Sequence, residues 1–397
     1  MKTAPALSIV SAALTDAEAL IAAAPFAALR ADLRASLLER DDEVDGICTA
    51  LIAGEHVLLL GPPGTAKSAL ANAISRALSG SRYFERLMGR FTVPEELFGP
   101  TSIAGLRADR FERVIDGFLP TADVAFLDEI FKANSAILNS LLTLINERKF
   151  DYGTARISVP LKLLIGASNE LPEQDEALEA LYDRFCVRFW VRPTTARASK
   201  RALLRMRGEP GATVAITAAD VERARAAADQ VVVPPEVEDA IIDCAEALAR
   251  DVGVYVSDRR LRKIGKLVRA RALLAGRATA TLDDVMVLVD SAWTKPDERP
   301  AVLGVVTRTV APALADALKL LDAATEARAQ VDTKNRLDST AIGKAAGVKK
   351  QIDEMATKAR QLVPAGSSGA EKIEDVAKRI DALGTEIVAA ISEAFRK

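Results

Sequence analysis

The stretch Leu58-Leu59-Leu60-Gly61-Pro62-Pro63-Gly64-Thr65-Ala66-Lys67-Ser68 joins an apolar run to a tight turn and the start of a helical segment. It fits the spacing G-x-x-x-x-[GA]-K-[ST], with Ala66 where the strict phosphate-binding loop carries glycine. The amides of such a loop, together with the helix N-terminus behind it, present partial positive charge to phosphate oxygens. Lys67 is placed to neutralise the β- and γ-phosphates of a nucleoside triphosphate, and the Ser68 hydroxyl to ligate Mg²⁺. A glycine-rich strand-to-helix turn without a ligand is the bland alternative, and this stretch alone does not dismiss it.

Downstream segments weigh against that alternative. Val124-Ala125-Phe126-Leu127-Asp128-Glu129 is an apolar run ending in two carboxylates. At the C-terminal edge of a parallel sheet these would face the same crevice as the loop. Asp128 would hold Mg²⁺ through water and Glu129 would polarise the attacking water. Leu163-Leu164-Ile165-Gly166-Ala167-Ser168 ends in Asn169, which either orients water and γ-phosphate or is an ordinary strand-end residue. Arg184, after Ala180-Leu181-Tyr182-Asp183, could point into a neighbouring subunit's nucleotide or simply pair with Asp183. Ser257-Asp258-Arg259-Arg260 opens a helical segment from which one arginine could reach a γ-phosphate.

Working outward, residues 46–192 alternate apolar runs (56–60, 124–127, 163–167, 187–191) with helical stretches such as 69–78 and 135–147. That alternation predicts a parallel sheet buried on both faces, an α/β nucleotide-binding core. Residues 1–45 read as an amphipathic helical segment, with Leu33, Leu37 and Leu38 on one face. From 193 to 295 the pattern is helical without a convincing strand, which predicts an all-α lid. Residues 296–397 read as a helical C-terminal appendage, with a turn at Pro364-Ala365-Gly366-Ser367-Ser368-Gly369. Its apolar residues recur at helical spacing in Ile373-Val376-Ile380-Leu383 and Ile387-Ala390-Ile391-Phe395.

Composition narrows the function classes. Of 397 residues 49% are hydrophobic and 27% charged, enough for two or three domains with real cores. A net charge of −2 gives no surplus of Lys and Arg for phosphate backbones, so nucleic acid is an unfavoured partner. His56 is the only histidine, which excludes a histidine-rich metal site or a Ser-His-Asp triad. Cys48, Cys186 and Cys244 lack metal or redox spacing and read as buried thiols of a cytoplasmic protein. No apolar run approaches the ~20 residues of a membrane span. The apolar start, residues 4–14, is broken by Ser8 and Ser11 and does not read as a signal peptide.

Taken together, these motifs resemble the AAA+ family, its MoxR group, and within that the RavA (regulatory ATPase variant A) branch. The resembling stretches include 61–68, Arg90-Phe91-Thr92-Val93-Pro94-Glu95-Glu96-Leu97-Phe98-Gly99-Pro100, 126–132, Ile145-Asn146-Glu147-Arg148, 167–172, 179–185 and 255–260. Ala66 is similar to what this group carries. The resemblance implies that Gly61, Pro62, Pro63, Gly64, Thr65, Ala66, Lys67 and Ser68 form Walker A, and Asp128 and Glu129 form Walker B. It implies Asn169 as sensor 1, Arg184 as the arginine finger and Arg259, rather than Arg260, as the sensor 2 arginine. Residues 99–120 would be an insert looping over a pore, and 147–160 a hairpin turning at Asp151-Tyr152-Gly153-Thr154.

The implied activity is Mg²⁺-dependent ATP hydrolysis by a homo-oligomer, a hexameric ring, that remodels or assembles an unidentified client protein complex. A protein with a von Willebrand factor A domain is the implied partner. Two other readings stand beside it: a helicase-like nucleic-acid motor, disfavoured by the acidic balance, and a nucleotide-gated scaffold, disfavoured by Glu129.

Overall fold

A computed structural model describes residues 13–153, 155–171, 176–208, 210–331, 339–362 and 370–395. Residues 1–12, most of the apolar start not read as a signal peptide, lie outside the described residues, as do the 364–369 turn, Thr154 and Pro172. The chain divides into two compact units: Met1–Glu238 with Val254–Arg299, and Asp239–Gly253 with Pro300–Lys397.

The first unit opens with α1 (Asp16–Ser36) and α2 (Asp41–Ala53). Thr15 and Glu18 form a capping box at the start of α1, satisfying amides that the first helical turn leaves unpaired. Ala19, Ala22, Phe26, Leu29 and Leu33 fall at i, i+3 and i+4 spacing and are all buried. The α/β elements follow: β1 (Val57–Leu60), α3 (Lys67–Ala77), β2 (Leu78–Ser79), β3 (Tyr83–Leu87), α4 (Pro94–Phe98), α5 (Ile103–Arg107) and β4 (Val124–Asp128). After them come α6 (Ser135–Glu147), β5 (Lys149–Tyr152), β6 (Ala155–Ser158), β7 (Leu163–Ser168), α7 (Glu176–Arg184) and β8 (Val187–Trp190).

Five strands form one sheet in the order β3-β4-β7-β1-β8. Every pairing is parallel, with Leu60 opposite Ser168 and Trp190, and Leu87 opposite Asp128. The four expected apolar strands are there, and their alternation with helices is the predicted α/β order. β3 went unread. As an edge strand it mixes polar with apolar residues (Tyr-Phe-Glu-Arg-Leu) and buries only Phe84, so it lacks the continuous apolar signal of a doubly covered strand.

The helical continuation of this unit comprises α8 (Arg197–Arg205), α9 (Ala218–Gln230) and α11 (Asp258–Leu274); α10 (Pro235–Asp251) belongs from Asp239 onward to the second unit. A 3-10 segment, Leu282–Asp290, follows. A two-residue strand, β9 (Ile216–Thr217), pairs parallel with β2 and is too short to leave a periodic trace. Helices α1 and α2 pack on α9 and α11, so the N-terminal segment is built into this unit.

The second unit contains α12 (Arg299–Val310), α13 (Pro312–Ala329), α14 (Ser339–Gln361) and α15 (Ala370–Phe395), with α13, α14 and α15 mutually packed. Ile373, Val376, Ile380 and Ile387 lie on one buried face of α15, against Ile352, Ala356 and Ala359 of α14. The expected apolar spacing therefore belongs to one long helix. Leu383, Ala390 and Ile391 are partly buried along the same seam. Among the described residues, no helix is long and apolar enough to cross a membrane.

Candidate active site

Parallel pairing puts the C-terminal ends of β1, β4 and β7 along one edge, and the loops leaving them build the site. The loop after β1 is shaped by its backbone. Gly61 (φ 146°) lies so close to β8 that a Cβ there would sit 2.3 Å from the Val191 carbonyl oxygen. Ala66 is left-handed (φ 67°) and is the N-cap of α3. A side chain is tolerated at that conformation at some cost, which is why glycine is usual there. Pro63 and Gly64 are exposed, and Thr65 is buried with its hydroxyl donating to the Pro62 carbonyl at 2.9 Å.

Lys67 is the hub. Its ammonium donates to the carbonyls of Gly61 (2.7 Å) and Pro62 (3.1 Å) and to Asn169 Oδ1 (2.7 Å). Burial lowers its pKa, and the charges of Asp128 and Glu129 oppose that shift. The same Asn169 carboxamide donates through Nδ2 to Glu129 Oε1. Glu129 is 8% exposed, in a left-handed conformation (φ 51°), and its Oε2 lies 3.3 Å from Lys132 Nζ. That contact is an ion pair, since Oε2 accepts no well-formed hydrogen bond. One chain of polar contacts thus runs Lys67–Asn169–Glu129–Lys132 across three adjacent strand ends.

Asp128 caps β4 and accepts the Glu129 amide at 3.0 Å, and Ser68 lies in the first turn of α3. Among the described residues no three carboxylate, histidine or cysteine side chains gather as a metal cluster. The donor set that fits a magnesium ion is the Ser68 hydroxyl and the Asp128 carboxylate, completed by phosphate oxygens, as is usual for a cation that keeps few protein ligands.

Arg184 and Arg259 meet elsewhere. Arg184 ends α7, just before β8, and His56 precedes β1; the Val187 amide donates to the His56 carbonyl. These residues mark the N-terminal edge of the sheet, roughly 13 Å from the phosphate loop by the rise of a four-residue strand. Arg184 Nη1 lies 3.6 Å and Arg259 Nη1 3.9 Å from Asp183 Oδ2, while Arg260 Nη2 is 2.7 Å from Oδ1. Arg260 also donates to the Ala292 carbonyl and is buried. Burial and the neighbouring Arg259 lower the pKa of Arg184, with Asp183 opposing, and Arg184 Nε is buried without a partner. Arg259, by contrast, keeps 52% of its side chain exposed. The structure thus unites Arg184 and Arg259 with each other and joins neither to Lys67.

Three residues here were not singled out from sequence. Arg40, within the charged run 39–43, is 4% exposed and donates Nη2 to the carbonyls of Thr65 (3.0 Å) and Arg192 (2.8 Å), bracing the phosphate loop. It lines a cavity of about 260 Å³ with Phe189, Trp190 and Arg192. Arg188 is fully buried in β8: its Nε donates to Phe185 O, Nη2 to Tyr182 O and Nη1 to Trp293 O, and its guanidinium lies over the Tyr182 ring. It therefore fixes the end of α7 that carries Arg184. The available signal was one arginine inside an apolar strand. Lys132, three residues beyond Glu129, lies in the stretch 126–132 but was given no role of its own.

The hairpin is β5 paired antiparallel with β6. Its Gly153 (φ 59°) abuts the 99–120 segment so closely that a Cβ would sit 2.2 Å from the Phe111 carbonyl oxygen. Phe98 and Phe150 stack at 5.3 Å. Phe91 is 94% exposed, and Ile103, Leu106 and Phe111 are exposed as well.

Residues 26–221 match a family described as the MoxR domain in the MoxR-vWA-beta-propeller ternary systems, and residues 236–306 match an AAA lid domain. The uncharacterized protein MJ0812 of Methanocaldococcus jannaschii is 42% identical over 271 residues, 68% of this chain and 72% of that protein. The chaperone MoxR1 of Mycobacterium tuberculosis is 28% identical over 181 residues, 44% of this chain and 46% of that protein. The crystal structure of a candidate ATPase from Cytophaga hutchinsonii superposes with a TM-score of 0.61 at 16% identity, covering 74% of this chain and 96% of that one. That likeness concerns the fold alone.

Proposed function

The chain belongs to the MoxR family of AAA+ ATPases, and we propose that it is an ATP hydrolase whose subunits complete one another's sites in a ring and remodel a client protein complex. The observation that carries the reading is the contact chain Lys67–Asn169–Glu129. It couples the residue suited to hold phosphate to the residue suited to activate water.

In this reading Lys67 and the loop amides hold the triphosphate, and Arg40 keeps the loop in place from behind. The nearby recess beside Arg40 and Trp190 receives the nucleoside. Ser68 and Asp128 would hold a magnesium ion, which would supply neutralisation of phosphate charge. Glu129 takes the proton of the attacking water, and Asn169 orients that water once the amide is drawn off the carboxylate. Arg184 lies at the far edge from its own loop, so it serves the neighbour's nucleotide. Arg259, exposed beside it, is suited to act in the same direction. A hexamer is our expectation for the ring, and a cytoplasmic location suits three free, buried cysteines.

The partner we favour is a von Willebrand factor A domain protein, since the matching family is described from MoxR-vWA-beta-propeller systems. That description favours these systems over the RavA branch as the source of partners. A protein client is preferred to nucleic acid because Arg156 of the hairpin is paired with Glu147 and Asp151. The exposed Phe91, Ile103, Leu106 and Phe111 offer an apolar contact surface instead.

Turnover of Mg-ATP by purified protein, with and without DNA, RNA and a vWA partner, tests the reading. It is overturned by absent turnover under all conditions, or by stimulation that comes only from nucleic acid.

A further inference from the structure

A cavity of about 520 Å³ opens where the start of β1, the end of α6 and the first turns of α11 meet, all within the first unit. Arg148, Arg259, Arg262, Lys263 and Lys266 line it, against a single carboxylate, Glu55. That carboxylate is buried and shared, 2.7 Å from Lys263 and 3.6 Å from Lys266. One lining carboxylate thus faces five lining cations, of which Arg259 also pairs with Asp183 outside the cavity. The surplus sits in a concave site, where charges of one sign on neighbouring walls add their fields.

The donors are also incompletely used. Arg148, held in a left-handed conformation (φ 53°) at the end of α6, donates Nη2 to the Gly54 carbonyl at 3.0 Å, while its Nη1 is buried without a partner. Burial and the nearby Arg225 push its pKa down to about 10, against the pull of Glu55. His56, 2% exposed, accepts the Leu164 amide at Nδ1 (2.9 Å), so its Nε2 carries the proton. That N–H leans toward the Ile145 carbonyl without forming a well-shaped hydrogen bond. Buried donors without acceptors are costly to a fold unless a ligand supplies the acceptor.

We propose that this cavity is a second oxyanion site, at the opposite edge of the sheet from the phosphate loop, which binds a phosphate group through Arg148, Arg262 and Lys266. Guanidinium groups match phosphate oxygens in pairs, and the lysines add charge without fixed geometry. The phosphate has two possible sources. One is a free inorganic polyphosphate; the other is the phosphate tail of a nucleotide held by an adjacent subunit. Only the second source rests on the ring reading above.

The test uses full-length Lys67→Ala protein, in which the phosphate loop no longer competes, titrated calorimetrically with inorganic tripolyphosphate. A free-ligand site binds it, and Arg262→Ala with Lys266→Ala in the same background weakens binding by about tenfold or more. These two residues line the mouth on one helix, so the fold survives; Arg148→Lys is a third variant that keeps the charge. A second arm mixes Lys67→Ala protein with ATP-loaded Glu129→Gln protein and follows association by sedimentation. If the neighbour's nucleotide is the source, association depends on ATP and is lost with Arg262→Ala and Lys266→Ala placed in the Lys67→Ala protein. The proposal is overturned if neither tripolyphosphate binding nor ATP-dependent association responds to those two substitutions.

Discussion

The Lys67 ammonium and the Asn169 carboxamide oxygen lie 2.7 Å apart, although 102 positions separate them in the chain. Their meeting follows from the parallel pairing of β1 with β7, which places both strand ends at one edge. In the proposed reading it also divides the labour at the site, with Lys67 serving phosphate and Glu129 serving water. Lys67→Ala is expected to abolish nucleotide binding, whereas Glu129→Gln keeps binding and loses turnover by at least about 10²-fold. Fluorescent-nucleotide titration and phosphate release on the two variants check this. Near-wild-type turnover in both sinks the assignment.

Asn169→Ala should affect both partners of the carboxamide. It removes an acceptor from Lys67 and a donor from Glu129 in one step. Turnover should fall by about 10–10³-fold with a smaller loss of ATP affinity, because the Gly61 and Pro62 carbonyls still hold Lys67. A loss confined to affinity, with kcat unchanged, contradicts a role in orienting water.

Arg184 is predicted to act on a neighbouring subunit. Arg184→Ala and Glu129→Gln proteins, each inactive alone, should recover turnover when mixed. Sites that keep Glu129 then receive Arg184 from the other variant, and such a guanidinium is worth ~10³–10⁵ in rate. Absence of recovery in demonstrated mixed assemblies assigns Arg184 a cis or structural role.

Arg188 donates to three main-chain carbonyls from inside the sheet, and removing it strands all three. Arg188→Met should lower unfolding stability by ~2–4 kcal/mol, measured by urea denaturation. A change below ~0.5 kcal/mol contradicts the anchoring role.

Glu39 accepts from the Thr195 amide, the Ser199 hydroxyl, and the Ala196 amide and Thr195 hydroxyl, and these contacts bring its pKa down from 4.5 to about 2. The folded value lies below the unfolded one, so its contribution is fully present above about pH 4.5 and is lost as pH falls toward 2. The difference in urea midpoint between wild type and Glu39→Gln should therefore shrink from pH 6 to pH 3. A gap that widens on acidification reverses the sign of the argument.

The sequence alone determined the phosphate loop, the strand-end carboxylates, Asn169 and the alternation that makes a parallel α/β core. Each of these depends on neighbours in the chain: an apolar run, then a turn or polar residue at fixed spacing. It did not reveal β3, whose edge position requires only one buried side chain. Nor did it reveal Arg40, where a charged run masked one residue with a buried role. The adjacent pair Asp183 and Arg184 was legible as a possible ion pair, but tertiary structure alone decided that Arg259 joins it at the far edge, and that Arg148 meets the cations of α11. Those meetings depend on strand order and on which helix covers which sheet edge. Local spacing carries no trace of them, because side chains far apart in the chain are brought together only when the core is packed.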